Sequence, residues 1–413
     1  MREFKSLKGR VYQGWINLAI AALAMVGTMP GRTQGLGLIT EPLLKDLQMN
    51  RVDYATINLF ATLLGALACL PVGRLIDLIG SRIVLTATTL ALGLTVVTMS
   101  SASGFVALCI AVTFTRGLGQ SALSVASLAL VGKWFSSKLN MAMGVFSLLV
   151  GIGFIAAFSA VGPAVISFGW RPAWSAIGWS ILVVLVPMCW FFVRNKPEDQ
   201  GLQLDGSESA NQEWSDLTLS EALRSPAFWI FALSSAIFAL AYSGISLFNE
   251  SILVERGFDA STYHSVLVIS TMLGLAANFG GGWLATKWPI QRVMGIGMAV
   301  LAGALAWLPM VRTATDVTFY GIAMGVAGGV VTVVFFSVWG QVFGRTHLGR
   351  IQGVAQMMTV LASAIGPLLL AETLKRTGSY DSIFQLMALA VTILGVGCWL
   401  VPLPEPIVRY THA

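Results

Sequence analysis

The stretch that decides the fold of this chain is residues 73–82, GRLIDLIGSR. It places three charged residues between two long apolar segments, in a chain of 413 residues that is 56% hydrophobic and only 11% charged. A soluble domain usually has about 25% charged residues, so a soluble fold of this size is excluded. A membrane-crossing helix needs roughly 20 mostly apolar residues. The stretch therefore predicts a short polar turn at a membrane surface that joins two membrane spans.

Hydropathy predicts twelve membrane spans, and each should be helical because a helix satisfies its own backbone hydrogen bonds in lipid. The predicted spans are residues 14–42, 52–72, 83–103, 105–132, 141–168, 174–193, 225–250, 261–283, 293–311, 317–340, 351–374 and 380–401. One long polar segment, residues 194–224, divides them into two sets of six. We therefore predict an all-α membrane protein of two pseudo-symmetric six-helix bundles, residues 1–193 and 225–413, joined by a solvated linker at 194–224.

The basic residues indicate the orientation of the chain in the membrane. Most Lys and Arg residues lie on the side that holds both termini and the linker, which the positive-inside rule assigns to the cytoplasm. The net charge of +6 is then a sign of orientation and not of nucleic-acid binding. The sequence contains no CxxC pair, metal-ligand cluster, phosphate-binding loop or catalytic triad. We expect no metal, no cofactor and no enzymatic activity.

Residues 73–82 resemble, at each defined position, the loop between the second and third helices of the major facilitator superfamily. The pattern is a glycine, an apolar residue two positions later, an aspartate, a second glycine and a basic end. The resemblance implies a latch that closes the cytoplasmic side, whereas the simpler reading is a solvated turn. Asp77 can favour a helix N-terminus or pair with Arg74 or Arg82. The predicted gating residues are Gly73, Asp77, Gly80 and Arg82.

The corresponding stretch of the second half is residues 282–289, GWLATKWP. It keeps a glycine and an apolar residue, but Thr286 stands where the aspartate would be. The sequence therefore predicts an asymmetric latch.

Three further stretches are similar to the prokaryotic monocarboxylate-porter and oxalate/formate antiporter branch of that superfamily. They are RGLGQ at 116–120, RNKPEDQGL at 194–202 and SEALRSPAFW at 220–229. The resemblance implies a secondary active transporter that moves a small organic anion, a monocarboxylate, by alternating access with proton symport or anion exchange. It also implies a monomer in the bacterial inner membrane, with both termini cytoplasmic and with the lipid bilayer and a coupling proton as its other partners.

One departure from that branch keeps other functions open. The branch places a basic residue in the eighth span, and its oxalate type has another in the eleventh, whereas this chain has none in either membrane interior. An exporter of amphipathic drugs or metabolites by proton antiport is the alternative. A sensor that keeps the fold without transporting is a third reading, against which the intact residues 73–82 speak.

Two arginines, Arg116 in the fourth predicted span and Arg32 late in the first, are the basic residues that fall inside spans. A charged group within the bilayer costs at least about 2.5 kcal/mol, so it needs a partner or a function. Guanidinium binds a carboxylate with two parallel hydrogen bonds, so both arginines are predicted to contact an anion. The alternatives are an Arg116 bonded to polar groups of other spans and an interfacial Arg32, directed outward or paired with Glu41.

Uncharged polar residues within the spans serve either as ligand contacts or as hydrogen bonds between helices. The predicted substrate contacts among them are Tyr242, Asn278, Gln120 and Gln356. Three glutamates near the outer ends of spans are candidates for proton coupling, and the alternative for each is a hydrated interfacial carboxylate. These candidates are Glu41, Glu250 and Glu372.

Overall fold

The protein is described here by a computed structural model that covers residues 12–49, 51–200, 202, 216–258 and 260–404. Within its helices, the side chains of residues 41, 51, 52 and 55 and of several residues between 247 and 268 lie outside the description. The described part of the chain is helical, with short turns and no strand. The predicted all-α class is confirmed.

In the part of the chain that the structure describes, eleven helical segments are long and apolar enough to cross a membrane. In chain order they are Gln13–Gly31, Thr56–Ile79, Ser81–Ser100, Phe105–Trp134, Leu139–Phe168, Trp170–Phe192, Pro226–Ser246, Ile290–Met310, Ala314–Phe343, Leu348–Thr377 and Asp381–Leu400. The helix Ala260–Lys287 has 28 residues, about 42 Å of rise, and coincides with the predicted eighth span. We count it as the eighth, so the spans run from the first to the twelfth in chain order.

Several spans extend or break where the sequence predicts continuity. The first span ends in a 3₁₀ turn at Met29–Gly31, after which Arg32 is extended and two short helices follow, Thr33–Gly37 and Thr40–Asp46. The second span is built from the helices Arg51–Ala66 and Cys69–Ile79. The seventh span belongs to a longer helix, Pro226–Glu255.

Two spans contain a π-helical stretch between α-helical parts. In the fourth span the helices Phe105–Thr115 and Ser124–Trp134 flank the π-helix Arg116–Leu123. In the sixth, Trp170–Ser180 and Val186–Phe192 flank Ile181–Leu185. π-Helical turns are rare and are frequent at functional sites. The one in the fourth span begins at a predicted site residue.

The predicted polar turn at residues 73–82 is largely wrong. The helix Cys69–Ile79 continues through most of this stretch, and the turn is Gly80 alone, with φ of 90°. The next helix, Ser81–Ser100, starts at once. Apolar residues such as Leu75 and Ile76 let the helix continue past the charges, and a positive φ is a conformation that glycine adopts without steric cost.

The two ends of the linker that the structure describes contain apolar residues that pack on the core. A 3₁₀ turn, Glu198–Gln200, follows the sixth span, and the helix Leu219–Arg224 precedes the seventh. Thr218 and Glu221 form a capping box at the start of that helix, and Leu217 and Ala222 are buried. Both ends of the linker therefore pack on the bundles. The division into residues 1–193, 194–224 and 225–413 stays a prediction.

Candidate substrate site and linker-side contacts

Arg116 lies deep inside the first half, with 4% of its surface exposed. Its Nη1 donates to Thr33 Oγ1 at 3.0 Å and to Gln120 Oε1 at 2.9 Å, and its Nη2 donates to Asn58 Oδ1 at 2.8 Å. Its Nε is buried and has no hydrogen-bond partner among the residues that the structure describes. Among the described residues the guanidinium group thus has three neutral acceptors, from the short helix after the first span and from the second and fourth spans, and one donor without an acceptor.

Close glycine contacts bring these three spans together around Arg116. A Cβ atom at Gly119 would lie 3.2 Å from the Cα of Gly31, and a Cβ atom at Gly65 would lie 2.8 Å from the amide nitrogen of Gly117. The backbones therefore approach more closely than any larger side chain would allow, as small residues permit in membrane helices. Gly117 and Gly119 both belong to the π-helical stretch that starts at Arg116.

Arg32 is half-buried beside the same segment of the fourth span. Its Nε donates to Thr28 Oγ1 at 2.7 Å, and its Nη2 donates to Ser124 Oγ at 3.3 Å and contacts the sulfur of Met25 at 3.1 Å. The guanidinium carbon lies 5.1 Å from the ring centroid of Phe154 in the fifth span. Arg32 is therefore held by hydroxyl groups, a thioether and an aromatic face.

Each of these two arginines bonds to a residue in the chain segment next to the other. We call Arg32 and Arg116 the arginine pair. Arg116 bonds to Thr33, the next residue after Arg32, while Arg32 bonds to Ser124, directly after the π-helix of Arg116. Among the side chains that the structure describes, neither arginine forms an ion pair. The arrangement gathers two positive charges in one part of the first half, and every acceptor seen there is neutral.

The other predicted substrate contacts lie in the second half, apart from Gln120, which bonds to Arg116. Tyr242 stacks on Phe238 with ring centroids 5.4 Å apart and keeps 42% of its surface exposed. Asn278 has a buried Oδ1 for which the described residues provide no hydrogen-bond partner, and its carbonyl oxygen lies 3.7 Å from the Cβ position of Gly144 in the fifth span. Gln356 is half-buried in the eleventh span.

The predicted proton-coupling glutamates receive little structural description. Glu372 accepts a hydrogen bond from Arg376 one turn later at 2.6 Å, and 44% of its side chain is exposed. That geometry is an ion pair at a helix surface. Glu41 and Glu250 lie in helices, but their side chains are outside the described part of the chain.

Asp77 joins the two halves on what we call the linker side, where Gly80 packs against Asn195 at the start of the linker. Its Oδ1 accepts from Lys133 Nζ at 3.0 Å and from the amide of Gly349 at 3.1 Å, and its Oδ2 accepts from the amide of Arg350 at 3.0 Å. Those two amides belong to the first turn of the eleventh span. Asp77 therefore caps a helix of the other half, as carboxylates commonly cap N-termini.

The ion-pair partner of Asp77 is Lys133, whereas the sequence suggested Arg74 or Arg82. The carboxylate pairs with Lys133, and the two side chains are only 3% and 4% exposed. Arg82 donates to the carbonyl of Trp190 at 2.7 Å and lies over its ring, so it acts within the first half. Lys133 directly follows the predicted fourth span, residues 105–132. Its position at the end of the apolar fourth span was the available signal.

Arg345, in the turn before the eleventh span, ties the linker to this region. Its Nε donates to the carbonyl of Lys133 at 3.1 Å, and its Nη2 donates to Glu198 at 3.1 Å. Its amide, with that of Thr346, donates to Asp216 at the far end of the linker. We call the Asp77–Lys133 pair, together with the bonds of Asp77 to the eleventh span, the Asp77 contact, and Arg345 lies at its edge.

The pseudo-equivalent contact joins the eighth span to the fifth. Asn140 Nδ2 donates to the carbonyl of Ala285 at 2.7 Å, and a Cβ atom at Gly282 would lie 2.8 Å from the carbonyl oxygen of Asn140. Thr286, in the aspartate position, donates to the carbonyl of Trp283 in its own helix at 2.7 Å. We call this the Asn140 contact, because its bond between the halves comes from that amide.

This helical architecture agrees with what sequence comparison finds. The sequence model of the Major Facilitator Superfamily matches residues 15–320 and 235–411 of the chain, so the chain belongs to this family. The protein is a multi-pass membrane transporter of small organic substrates and not an enzyme. The family predicted from residues 73–82 is confirmed.

Individual relatives are distant. The chain is 22% identical to a hexuronate transporter of Bacillus subtilis (strain 168) over 301 residues, which cover 69% of this chain and 70% of that one. It is 24% identical to monocarboxylate transporter 11 of Mus musculus over 384 residues, covering 90% and 83%. The crystal structure of the Escherichia coli fucose:proton symporter superposes with a TM-score of 0.68 at 13% identity, covering 93% and 97%, and supports the fold.

Proposed function

We propose that the protein transports a small organic anion, a monocarboxylate, across the membrane by alternating access, by proton symport or anion exchange. The observation that carries this proposal is the arginine pair, because two guanidinium groups lie inside the bundle with neutral partners only among the described side chains. A charge in the bilayer costs at least about 2.5 kcal/mol. The attraction between a bound anion and the two guanidinium groups would offset this cost. A carboxylate is suited to the site because it can accept two parallel hydrogen bonds from one guanidinium group.

Within the arginine pair we assign different parts to the two residues. Arg32 is half-buried and would contact the substrate directly. Arg116 already uses both terminal nitrogens on Thr33, Gln120 and Asn58, so it adds positive potential and offers its free Nε. Tyr242, Asn278 and Gln356 would supply the contacts from the second half. The names of the relatives, a hexuronate and a monocarboxylate transporter, refer to carboxylates and support the same class.

The gating assignment follows from the Asp77 contact. We propose that the carrier acts as a monomer in a bacterial inner membrane, with both termini cytoplasmic, so that the linker side faces the cytoplasm. Its Asp77 contact, with Gly73 and Gly80, would hold that side closed and break when the carrier opens inward. Of the coupling candidates, Glu372 is engaged by Arg376 in an exposed ion pair, which supports Glu41, Glu250 or the substrate itself as the proton carrier.

The test measures thermal stability of the purified protein against small carboxylates, larger organic anions and lipophilic cations. A ligand at about 100 times its Kd stabilises the folded state by roughly 2.7 kcal/mol. We expect one carboxylate class to raise the melting temperature of the wild type, and the shift to be lost in Arg32→Gln and Arg116→Gln. Arg256→Gln is the matched control, because Arg256 pairs with Asp381 at 2.6 Å and lies outside the arginine pair.

The control should lower stability but keep the ligand-induced shift. Stabilisation by lipophilic compounds alone, equal in wild type and both arginine variants, would overturn the anion assignment and favour the amphipathic exporter.

A further inference from the structure

The described acceptors of Arg116 are all neutral, and two of them are amides where acidic residues of the same shape would fit. Asn58 and Gln120 offer amide oxygens at 2.8 and 2.9 Å from the terminal nitrogens, and each differs from Asp or Glu only by an amide nitrogen in place of an oxygen. A carboxylate at either position would make the same hydrogen bond and also an ion pair. The site thus keeps the orientation of the guanidinium group without cancelling its charge.

The Asn58 side chain is itself held in place by its own helix. Its Nδ2 donates to the carbonyl of Tyr54 one turn earlier at 2.9 Å, which directs the Oδ1 atom towards Arg116. Thr62 donates in turn to the carbonyl of Asn58 at 2.6 Å. An amide suits this position because one end must donate to a carbonyl while the other accepts from a cation, and a carboxylate can do only the second.

The same preference for neutral partners occurs around Arg32. Thr28 donates its hydroxyl hydrogen to the carbonyl of Met25 at 2.6 Å, and this leaves an oxygen lone pair to accept from the Arg32 Nε. Ser124 provides another hydroxyl, and Phe154 an aromatic face. Two cations that are close in space are therefore both positioned by groups without charge.

We propose that Asn58 and Gln120 are positioning residues that orient Arg116 while leaving its charge available to the transported anion. This inference rests on the proposed function and deepens it, because it names the groups that keep the site positive. We expect Asn58 to contribute more than Gln120 to the orientation of Arg116, because Asn58 reaches Arg116 from another span, whereas Gln120 lies one turn away on the same helix.

The experiment compares Asn58→Asp with Asn58→Ala, and uses lactate and glucuronate as separate probes. In Asn58→Asp the new carboxylate loses the bond to the Tyr54 carbonyl but pairs with Arg116, and a charged pair contributes more than a neutral hydrogen bond, so the ligand-free melting temperature should rise while the affinity for the anion falls at least tenfold. In Asn58→Ala the bond is lost but the charge stays, so the melting temperature should fall and the affinity should change only a few-fold. Gln120→Glu is the second acidic variant, and should repeat the first pattern.

A variant that melts at a higher temperature but binds the anion more weakly supports the inference. If Asn58 were only structural, a change in melting temperature would be accompanied by a change in affinity in the same direction. Ligand-free melting temperatures that rise in neither acidic variant would overturn it, as would undiminished anion binding by Asn58→Asp. These outcomes are distinct from failure of the proposed function, which appears as a wild type that binds neither probe. That result would remove the proposed function and this inference together.

Discussion

The Asp77 contact and the Asn140 contact occupy equivalent places in the two halves but are built from different chemistry. Both bring a glycine, Gly73 or Gly282, against the first turn of a span in the other half. The Asp77 contact adds a buried carboxylate that accepts from Lys133 and from two backbone amides. The Asn140 contact has one amide-to-carbonyl bond. The glycines allow close packing in both, and the charge distinguishes them.

The difference in chemistry implies a difference in strength. The bond from Lys133 lies within the first half, whereas the two amides that donate to the Asp77 carboxylate belong to the second half, and each hydrogen bond to a charged group contributes about 1.5–3 kcal/mol. A neutral hydrogen bond contributes about 1 kcal/mol. We therefore expect the Asp77 contact to hold most of the energy that closes the linker side, and separation of the halves to begin at the Asn140 contact.

The largest expected effect comes from Asp77→Ala. It leaves the amides of Gly349 and Arg350 in the other half without their charged acceptor, so closure of the linker side should weaken by about 3 kcal/mol, roughly a hundredfold in population. The measurement is the alkylation rate of a cysteine introduced by Leu348→Cys, a position 1% exposed in the closed form, in a chain without its four native cysteines.

The control for this experiment is Asp316→Ala, which removes a carboxylate that caps its own helix through the Thr313 capping box, away from the linker side. It should leave the labelling rate unchanged. Equal labelling of the wild type and Asp77→Ala would show that the carboxylate does not hold the halves together.

A smaller effect is expected when the shared glycines are enlarged. A Cβ atom at Gly73 would overlap the carbonyl oxygen of Gly349, and one at Gly282 would lie 2.8 Å from the carbonyl oxygen of Asn140. Overpacking costs about 1–3 kcal/mol, so both alanine variants should label faster, Gly73→Ala more than Gly282→Ala.

Gly303→Ala provides the matched control for the glycine variants, because nothing lies within 4 Å of its Cβ position. The same substitution there should leave the labelling rate as it is. The reverse order of the two contact variants would contradict the view that the Asp77 contact is the tighter one.

The smallest effect is expected from a substitution at Thr286 that makes the Asn140 contact more similar to the Asp77 contact. Thr286→Asp places a carboxylate four residues after Gly282, as Asp77 lies four residues after Gly73. Capping the first turn of the fifth span should stabilise the closed form by about 1 kcal/mol and slow labelling roughly fivefold. Thr286→Asn separates capping from charge, since asparagine caps about equally well. Faster labelling in both variants would mean that position 286 does not face the helix terminus.

Much of the fold was predictable because the bilayer imposes local requirements. Each span is a long apolar segment, and the resemblance of residues 73–82 to the superfamily loop was confirmed at the level of the family. The turn itself was misplaced, because composition shows where charges occur but not how far a helix continues past them. Gly80 is the residue at which the backbone turns.

The candidate site was predictable only in part. Arg116 and Arg32 could be singled out because a charge inside a span is costly wherever it lies. Their neutral partners could not be assigned, since Asn58 and Ser124 are ordinary polar residues until packing places them beside a guanidinium group. Lys133 could not be recognised as the partner of Asp77 for the same reason, because its burial depends on the neighbouring helices.

The sequence by itself determined membrane residence, helical class and the approximate places of the spans, because lipid requires each segment to be apolar and to satisfy its own backbone hydrogen bonds. Tertiary structure alone decided which side chains meet. Arg116 bonds to residues 58 and 83 positions away in the chain, and Asp77 accepts from an amide 272 positions away. Such pairs form only when helices pack closely at their glycines, and a local sequence pattern does not show which helices pack together.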